Sequence, residues 1–497
     1  MWGIQGRALD LRIHTILRCS ARTAPSFRKS TRLLVTRDHD SLRDGEPMGA
    51  GIFSRDQCRS EQTVAPPRHD AKKRVALQRK VPAGTSVANV LFLHQNFPGQ
   101  FRHIAAHLAE SPDWDVLAIG RDTAPGIPGV RLIRYSPHRT ARVETHHYVR
   151  SYEDCVLHGQ AVLRILLDLK AKGYRPNVII AHPGWGESLF VKEAFPDAKL
   201  VHFCEYYYRS KGTDADFDPE FPLSIDGAAQ IRVRNALHLL NLEQCDLGIT
   251  PTHWQHQLHP QAYRDKLVIA HEGIPVDQLA PDPAATLTLP NGNTLSAGQP
   301  IVTYVARNLE PYRGFHQFMR ALPHILQEHS SCQVVIVGGD GVSYGNSPSD
   351  AGNWREKLLR ENPVDMSRVH FLGKVPYAIY KRVLRVSAAH VYLTYPFVLS
   401  WSLLEAMATG CLVIGSRTAP VEEVLQHGRN GLLVDFFKPI EIANSALSAL
   451  AIPQRHDTLR QAARMTASRY SSQRGAQRYG EILKRACAEG PVNSHSA

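Results

Sequence analysis

Short apolar runs alternate with stretches whose apolar residues recur every three or four positions, from residue 89 to about residue 486. Val90-Leu-Phe-Leu93 gives way to a Pro-Gly loop and then to Phe101, Ile104, Ala105 and Leu108 at helical spacing, the strand, loop and helix that open a doubly wound domain. The pattern goes on to predict a helix over 155–172, strands over 177–181, 199–203, 246–250 and 267–269, and a helix from Thr252. Residues 276–299, rich in Pro, Ala, Asn and Gly, read as a linker. Beyond it come strands over 301–306, 333–337, 369–372, 391–394 and 411–414, helices over 315–327 and from Ser402 to a stop at Gly410, a helical stretch from 439 to 486, and a frayed tail. Strands alternating with helices specify parallel sheets, and 497 residues are too many for one ordinary core. The expected organisation is a first Rossmann-like domain over 86–275, a second over 300–470, and a last helix with its tail over 471–497.

Residues 1–85 lack this periodicity and are rich in Arg, Ser and Pro. Their composition suits a disordered basic extension, a transit peptide, a tether to an anionic membrane, or a misassigned upstream start. They also change the meaning of the charge. The net +12 first suggests nucleic acid or a membrane surface, but residues 1–85 hold 17 Lys and Arg against 8 Asp and Glu, which leaves +3 for the other 412 residues. The folded part is nearly balanced, so nucleic acid is not an expected partner, whereas peripheral contact with an anionic membrane stays open. Eight scattered cysteines without a Cys-x-x-Cys pair, no secretory leader and no apolar run of membrane-spanning length lead us to expect a cytoplasmic protein.

The chemistry concentrates in residues 391–435, where a strand ends in the Pro-containing loop Phe397–Ser402 before a helix carrying Glu405. A helix opening at a strand's carboxyl end offers unpaired N–H groups to an anion. Glu405 has two readings: a carboxylate for the two hydroxyls of a ribose, or the far end of a capping box Ser402-x-x-Glu405. His182 ends another strand and would point into the same cleft, while a loop imidazole bonded to backbone is its bland alternative. Asp214-x-Asp216 and Asp216-x-Asp218 have the spacing with which some transferases hold a divalent cation, yet an acidic loop is more simply a solvated loop. His253, His256 and His259 mark a helix face rather than a metal, since no carboxylate or cysteine completes a ligand set.

Three blocks carry a family resemblance: Leu91-Phe-Leu-His-Gln-Asn-Phe-Pro-Gly-Gln-Phe-Arg102, Ala306-Arg-Asn-Leu-Glu-Pro-Tyr-Arg-Gly314, and LLEAMATGCLVIGSRTAPVEEVLQHGRNGLLVD from Leu403. Together, in this order, they resemble the family 4 retaining glycosyltransferases of GT-B fold, and within them a bacterial subgroup acting on cell-surface polysaccharides. The resemblance implies two Rossmann-like domains facing a cleft, a UDP- or GDP-linked sugar as donor, a saccharide or lipid-linked saccharide as acceptor, and no metal and no cofactor beyond the co-substrate. It makes His182 the donor-sugar histidine and gives Arg307 and Arg313 the leaving diphosphate, with Arg313 where the family usually has Lys. Gly99, the backbone of Leu399, Ser400, Trp401 and Ser402, and Glu405 would hold the donor, while Glu205, Tyr206 and Tyr207 offer acceptor contacts. One departure stands out: Phe397 occupies the place of the first carboxylate of the family's Glu-x₇-Glu pair. A non-catalytic nucleotide-sugar-binding protein, or a sugar phosphorylase on the same fold, is the alternative reading.

Overall fold

The computed structural model describes residues 87–488, so the basic extension and the end of the tail lie outside the described residues. The first domain is a seven-stranded parallel sheet of β1 (Ala88–Leu93), β2 (Trp114–Arg121), β3 (Arg131–Tyr135), β4 (Val178–Ala181), β5 (Lys199–Phe203), β6 (Leu247–Thr250) and β7 (Leu267–Ile269), in the order β3-β2-β1-β4-β5-β6-β7. Its helices are α1 (Arg102–Glu110), α2 (His147–Ala171), α3 (Val191–Ala194), α4 (Ile225–Gln244), α5 (His253–Leu258) and α6 (Gln261–Arg264). The helix expected over 155–172 starts two turns earlier, because His146 caps it by accepting the Tyr148 N–H through Nδ1. Nothing in the apolar spacing announced α4, which buries few of its twenty residues.

Residues 276–299 are more than a linker. They contain a hairpin, β8 (Thr286–Thr288) and β9 (Thr294–Ser296), whose Leu287 and Leu295 pack on Val335, Val337 and Val383 of the second domain. Alternation of apolar and polar residues was too short there to read as strands, and burial on a neighbouring sheet supplies what the pattern lacks.

The second sheet is β10 (Ile301–Asn308), β11 (Gln333–Gly339), β12 (Val369–Phe371), β13 (Ala389–Tyr392), β14 (Val413–Ser416) and β15 (Leu432–Val434), parallel throughout, in the order β12-β11-β10-β13-β14-β15. Helices α7 (Phe315–Glu328), α8 (Trp354–Glu361), α9 (Tyr377–Arg385), α10 (Trp401–Thr409), α11 (Ala419–Glu422), α12 (Pro439–Ala451) and α13 (Asp457–Ser468) cover it. Buried Phe315, Phe318 and Leu322 of α7 meet Ile442 and Ala446 of α12 over one face. The last helix, α14 (Ser472–Ala488), leaves this domain: Tyr479, Ile482 and Leu483 pack into the core of the first, beside Phe101, Ile104 and Leu108.

In each sheet the order reverses beside the first strand, between β1 and β4 and between β10 and β13. Ligands of open parallel sheets collect outside the strands' carboxyl ends at such reversals. The two domains turn these ends towards each other, as the contacts across the cleft show.

Candidate active site

The first-domain wall is built from the ends of three neighbouring strands. His94 follows β1, His182 follows β4 and Glu205 follows β5. The Gly184 N–H donates to His182 Nδ1 at 3.1 Å, so the proton of the neutral ring is on Nε2, which faces Glu205 Oε2 at 3.2 Å. His94 is set the same way: Asn96 N–H donates to its Nδ1, and its Nε2 donates to Gln100 Oε1 at 2.7 Å. The Gln100 amide then donates to Glu205 Oε1 at 3.0 Å, closing a chain His94–Gln100–Glu205–His182. Burial, with His182 beside it, pushes the His94 pKa down to about 3. Burial pushes the Glu205 carboxyl up, but the His182 and Gln100 contacts outweigh it and hold the group ionised below its ordinary range. His182 is buried and stacked on Trp185 with ring centroids 4.0 Å apart, whereas the Glu205 side chain is 31% exposed. Glu205 is therefore more open to solvent than His182.

Gly99 has φ 48°, and a Cβ there would lie 2.3 Å from the His94 ring. The close approach of the His94 ring requires a glycine there. Of the three acceptor candidates, Glu205 is held by Gln100 and His182 with its side chain partly open to solvent. The Tyr206 hydroxyl donates to Asp214 Oδ1 at 2.7 Å and its ring meets Phe397, and Tyr207 lies half-buried beside His238 and His259.

On the opposite wall, the two arginines are not equivalent. Arg313 donates from Nη1 to Thr394 Oγ1 at 2.8 Å and to the Val398 carbonyl at 3.4 Å, and its guanidinium lies 5.3 Å from the Tyr344 ring centre. Burial disfavours its charge, but Tyr392, Tyr344 and Glu310 outweigh burial and keep it ionised. Arg307, at the end of β10, is exposed and has no ion pair among the described residues. Glu310, wholly buried between them, accepts the N–H groups of Ser343, Tyr344 and Gly345 and so pins the loop after β11.

The cap of α10 is Ser400, not Ser402. Ser400 Oγ accepts the Ser402 N–H at 3.3 Å, and the Ser400 N–H donates to the Tyr392 hydroxyl at 3.0 Å. Among the described residues, the N–H groups of Leu399 and Trp401 have no partner, so two of the four proposed donors remain for an anion. The Trp401 indole donates to Glu272 Oε1 at 2.5 Å, tying the helix to the loop after β7. The capping box fails for the same reason. Glu405 lies one turn inside, 7% exposed, and its two oxygens accept the hydroxyls of Tyr377 at 2.9 Å and Tyr380 at 2.7 Å. Burial raises its pKa despite these two bonds.

Between the walls, Phe397 sits among rings from both domains: Tyr206 at 4.5 Å, Tyr344 at 5.0 Å and Tyr312 at 5.5 Å between centroids. Its carbonyl accepts the Trp254 indole N–H at 3.1 Å. The acidic loop is only partly solvated: Asp216 and Glu220 are exposed, whereas Asp214 and Asp218 are buried. Asp214 is buried and accepts hydroxyls from Tyr206 and Tyr312, Asp218 accepts the Tyr395 hydroxyl at 2.6 Å, and Glu220 pairs with Arg320. Asp216 turns back on its own loop, bonding the Gly212 and Thr213 N–H groups, so the two Asp-x-Asp pairs do not converge on one cation. His253, His256 and His259 belong to α5 and its end, and His259 bonds the Gln255 carbonyl. Glu423 completes the bridge by accepting the N–H groups of His253 and Trp254, both at 2.8 Å.

Two parallel doubly wound domains joined in this way, with a returning last helix, constitute a GT-B glycosyltransferase fold. Family models match most of both domains: the glycosyl transferase family 4 group over residues 112–279 and glycosyl transferases group 1 over residues 288–466. The chain belongs to the family 4 glycosyltransferases. Among curated relatives, it is 28% identical over 188 residues to spore coat protein SA of Bacillus subtilis, 37% of this chain and 48% of that one. It is 27% identical over 209 residues to D-inositol 3-phosphate glycosyltransferase of Corynebacterium urealyticum, 40% of this chain and 46% of that one. The chain thus spans about half the length of the curated relatives it matches. Solved structures with the same fold include sucrose-phosphate synthase from Thermosynechococcus elongatus, with TM-score 0.61, 19% identity and coverage of 81% of this chain and 99% of that one. Anabaena HepE in complex with UDP-glucose gives TM-score 0.58 and 15% identity, covering 80% and 99%.

Proposed function

We propose that this protein moves a glycosyl group from a nucleotide-sugar donor, UDP- or GDP-linked, to a saccharide or lipid-linked saccharide acceptor, with retention at the anomeric carbon. The observation that carries the reading is an ionised Arg313 anchored to the loop that opens α10, with the carboxylate–histidine pair Glu205 and His182 at the carboxyl ends of the first-domain strands. As the bond between the anomeric carbon and the diphosphate oxygen breaks, negative charge builds on the leaving phosphate. Arg313, Arg307 and the N–H groups of Leu399 and Trp401 stabilise that charge where it develops, without a metal in the transfer step. The acceptor oxygen bonds the anomeric carbon on the same face, and its proton passes to the departing phosphate. No side chain is assigned as nucleophile. Glu205, held ionised by His182 and Gln100, accepts sugar hydroxyls and orients them. The Glu405, Tyr377 and Tyr380 cluster receives the ribose, with the phenols supplying part of the hydrogen-bonding surface. The UDP-glucose bound by HepE and the glycosyl transfer named for the Corynebacterium relative support this reading.

The experiment is a melting-temperature screen across nucleotides and nucleotide sugars, followed by donor turnover with saccharide and lipid-linked acceptors. A ligand bound only by the native state raises the melting temperature. No rise with any uridine or guanosine diphosphate compound removes the proposal. Phe397 favours one second reading, a nucleotide-sugar-binding protein without transfer, because rings fill the place of the family's sugar-facing carboxylate. That reading predicts saturable binding with no donor consumed.

A further inference from the structure

One cluster outside the transfer site lies where the acidic loop of the first domain meets the start of α7. Asp218, Glu220 and His316 each present a ligand atom there, all within 4.8 Å of one another. His316 is 1% exposed, and neither of its ring nitrogens has a hydrogen-bond partner. Its Nε2 lies 3.1 Å from Asp218 Oδ2, yet a proton on that nitrogen does not line up with the oxygen. A buried imidazole in this state is unfavourable and calls for a ligand. Around it, Asp218 Oδ1 accepts the Glu220 N–H, Oδ2 accepts the Tyr395 hydroxyl, and Glu220 is paired with Arg320. Two carboxylates there face one guanidinium.

We propose that Asp218, Glu220 and His316 form a divalent-metal site that latches the acidic loop to the second domain. One imidazole nitrogen with two carboxylate oxygens suits zinc, and is poorer in oxygen than calcium or magnesium requires. Two ligands come from the first domain and one from the second, so the ion binds the closed arrangement more tightly than any arrangement that parts them. Its part is structural, and the phosphate-facing groups are Arg307, Arg313 and the start of α10.

The test uses the full chain, stripped with a chelator and titrated with Zn²⁺ alone by calorimetry, with Co²⁺ as a spectroscopic probe. One saturable equivalent, visible Co²⁺ absorption bands and a raised melting temperature are expected. His316→Gln should abolish the saturable step. Glu220→Gln, at a side chain 41% exposed and therefore tolerant of change, should weaken it roughly tenfold. Absence of saturable binding in the wild type overturns the proposal. So does wild-type affinity in Glu220→Gln, which places any bound metal elsewhere among the chain's 25 histidines. If His316→Gln fails to fold, Glu220→Gln alone decides.

Discussion

Asp214 shows how one buried carboxylate can set a pH dependence for the contact between the domains. Burial pushes its pKa up to about 6 from an ordinary 3.8, although the Tyr206 and Thr213 contacts pull the other way. The folded state therefore holds the proton more tightly than the unfolded chain does. The stabilisation is complete below about pH 4 and is lost as pH rises through about 6. Asp214→Asn removes the titration, so the stability of wild type minus variant should fall by on the order of 2 kcal/mol between pH 4 and pH 7. Urea unfolding at each unit of pH checks it, and a flat difference contradicts it. The arginines separate in the same way. Arg313→Ala loses bonds to the Thr394–Val398 loop and should lower both melting temperature and nucleotide affinity, the latter about tenfold, while Arg307→Ala should lower turnover with no change in melting temperature. Melts and nucleotide titrations on the two variants distinguish them, and equal effects on both would return the arginines to a symmetrical clamp.

Helix α14 is the element that makes two domains one unit. Its apolar face completes the core over α1, and Leu483 is fully buried there. Leu483→Ala removes several methylenes and leaves a cavity, so it should destabilise the protein by about 2–5 kcal/mol although the residue is far from the chemistry. Calorimetry checks this, and a loss under about 1 kcal/mol would mean that the helix end is loosely docked. The α10 start was legible because a Pro-containing loop, Ser residues and a Gly stop mark a helix in any context. Which serine caps it was not. Ser400 and Ser402 are both good caps, and the choice was made by Tyr392, whose hydroxyl receives the Ser400 N–H.

At the scale of the whole molecule, contacts across the cleft pass through aromatic rings and buried carboxylates. Phe397→Glu would restore the carboxylate that the family resemblance leads one to expect, but in the closed arrangement it would bury that charge among Tyr206, Tyr312 and Tyr344. The cost of about 3 kcal/mol or more is relieved only if the domains part. The variant should therefore melt earlier and show a larger radius of gyration by X-ray scattering. A compact variant with wild-type stability would show that these rings do not close the cleft.

The alternation of strand and helix, the reversal points and the loops holding His182, Arg313 and the α10 start are written in local spacing. Burial on a sheet or along a helix face imposes a period, and a period can be read without knowing the partner. The partners have no period. Glu405 faces Tyr377 and Tyr380 from another helix, Glu205 is held by Gln100 from more than a hundred residues earlier, Phe397 is packed among rings from both domains, and Asp214 and Asp218 accept phenol hydroxyls from the opposite domain. A carboxylate in a loop looks the same in sequence whether water or a phenol satisfies it. Only the packing of one domain on the other, which removes the water, decides which.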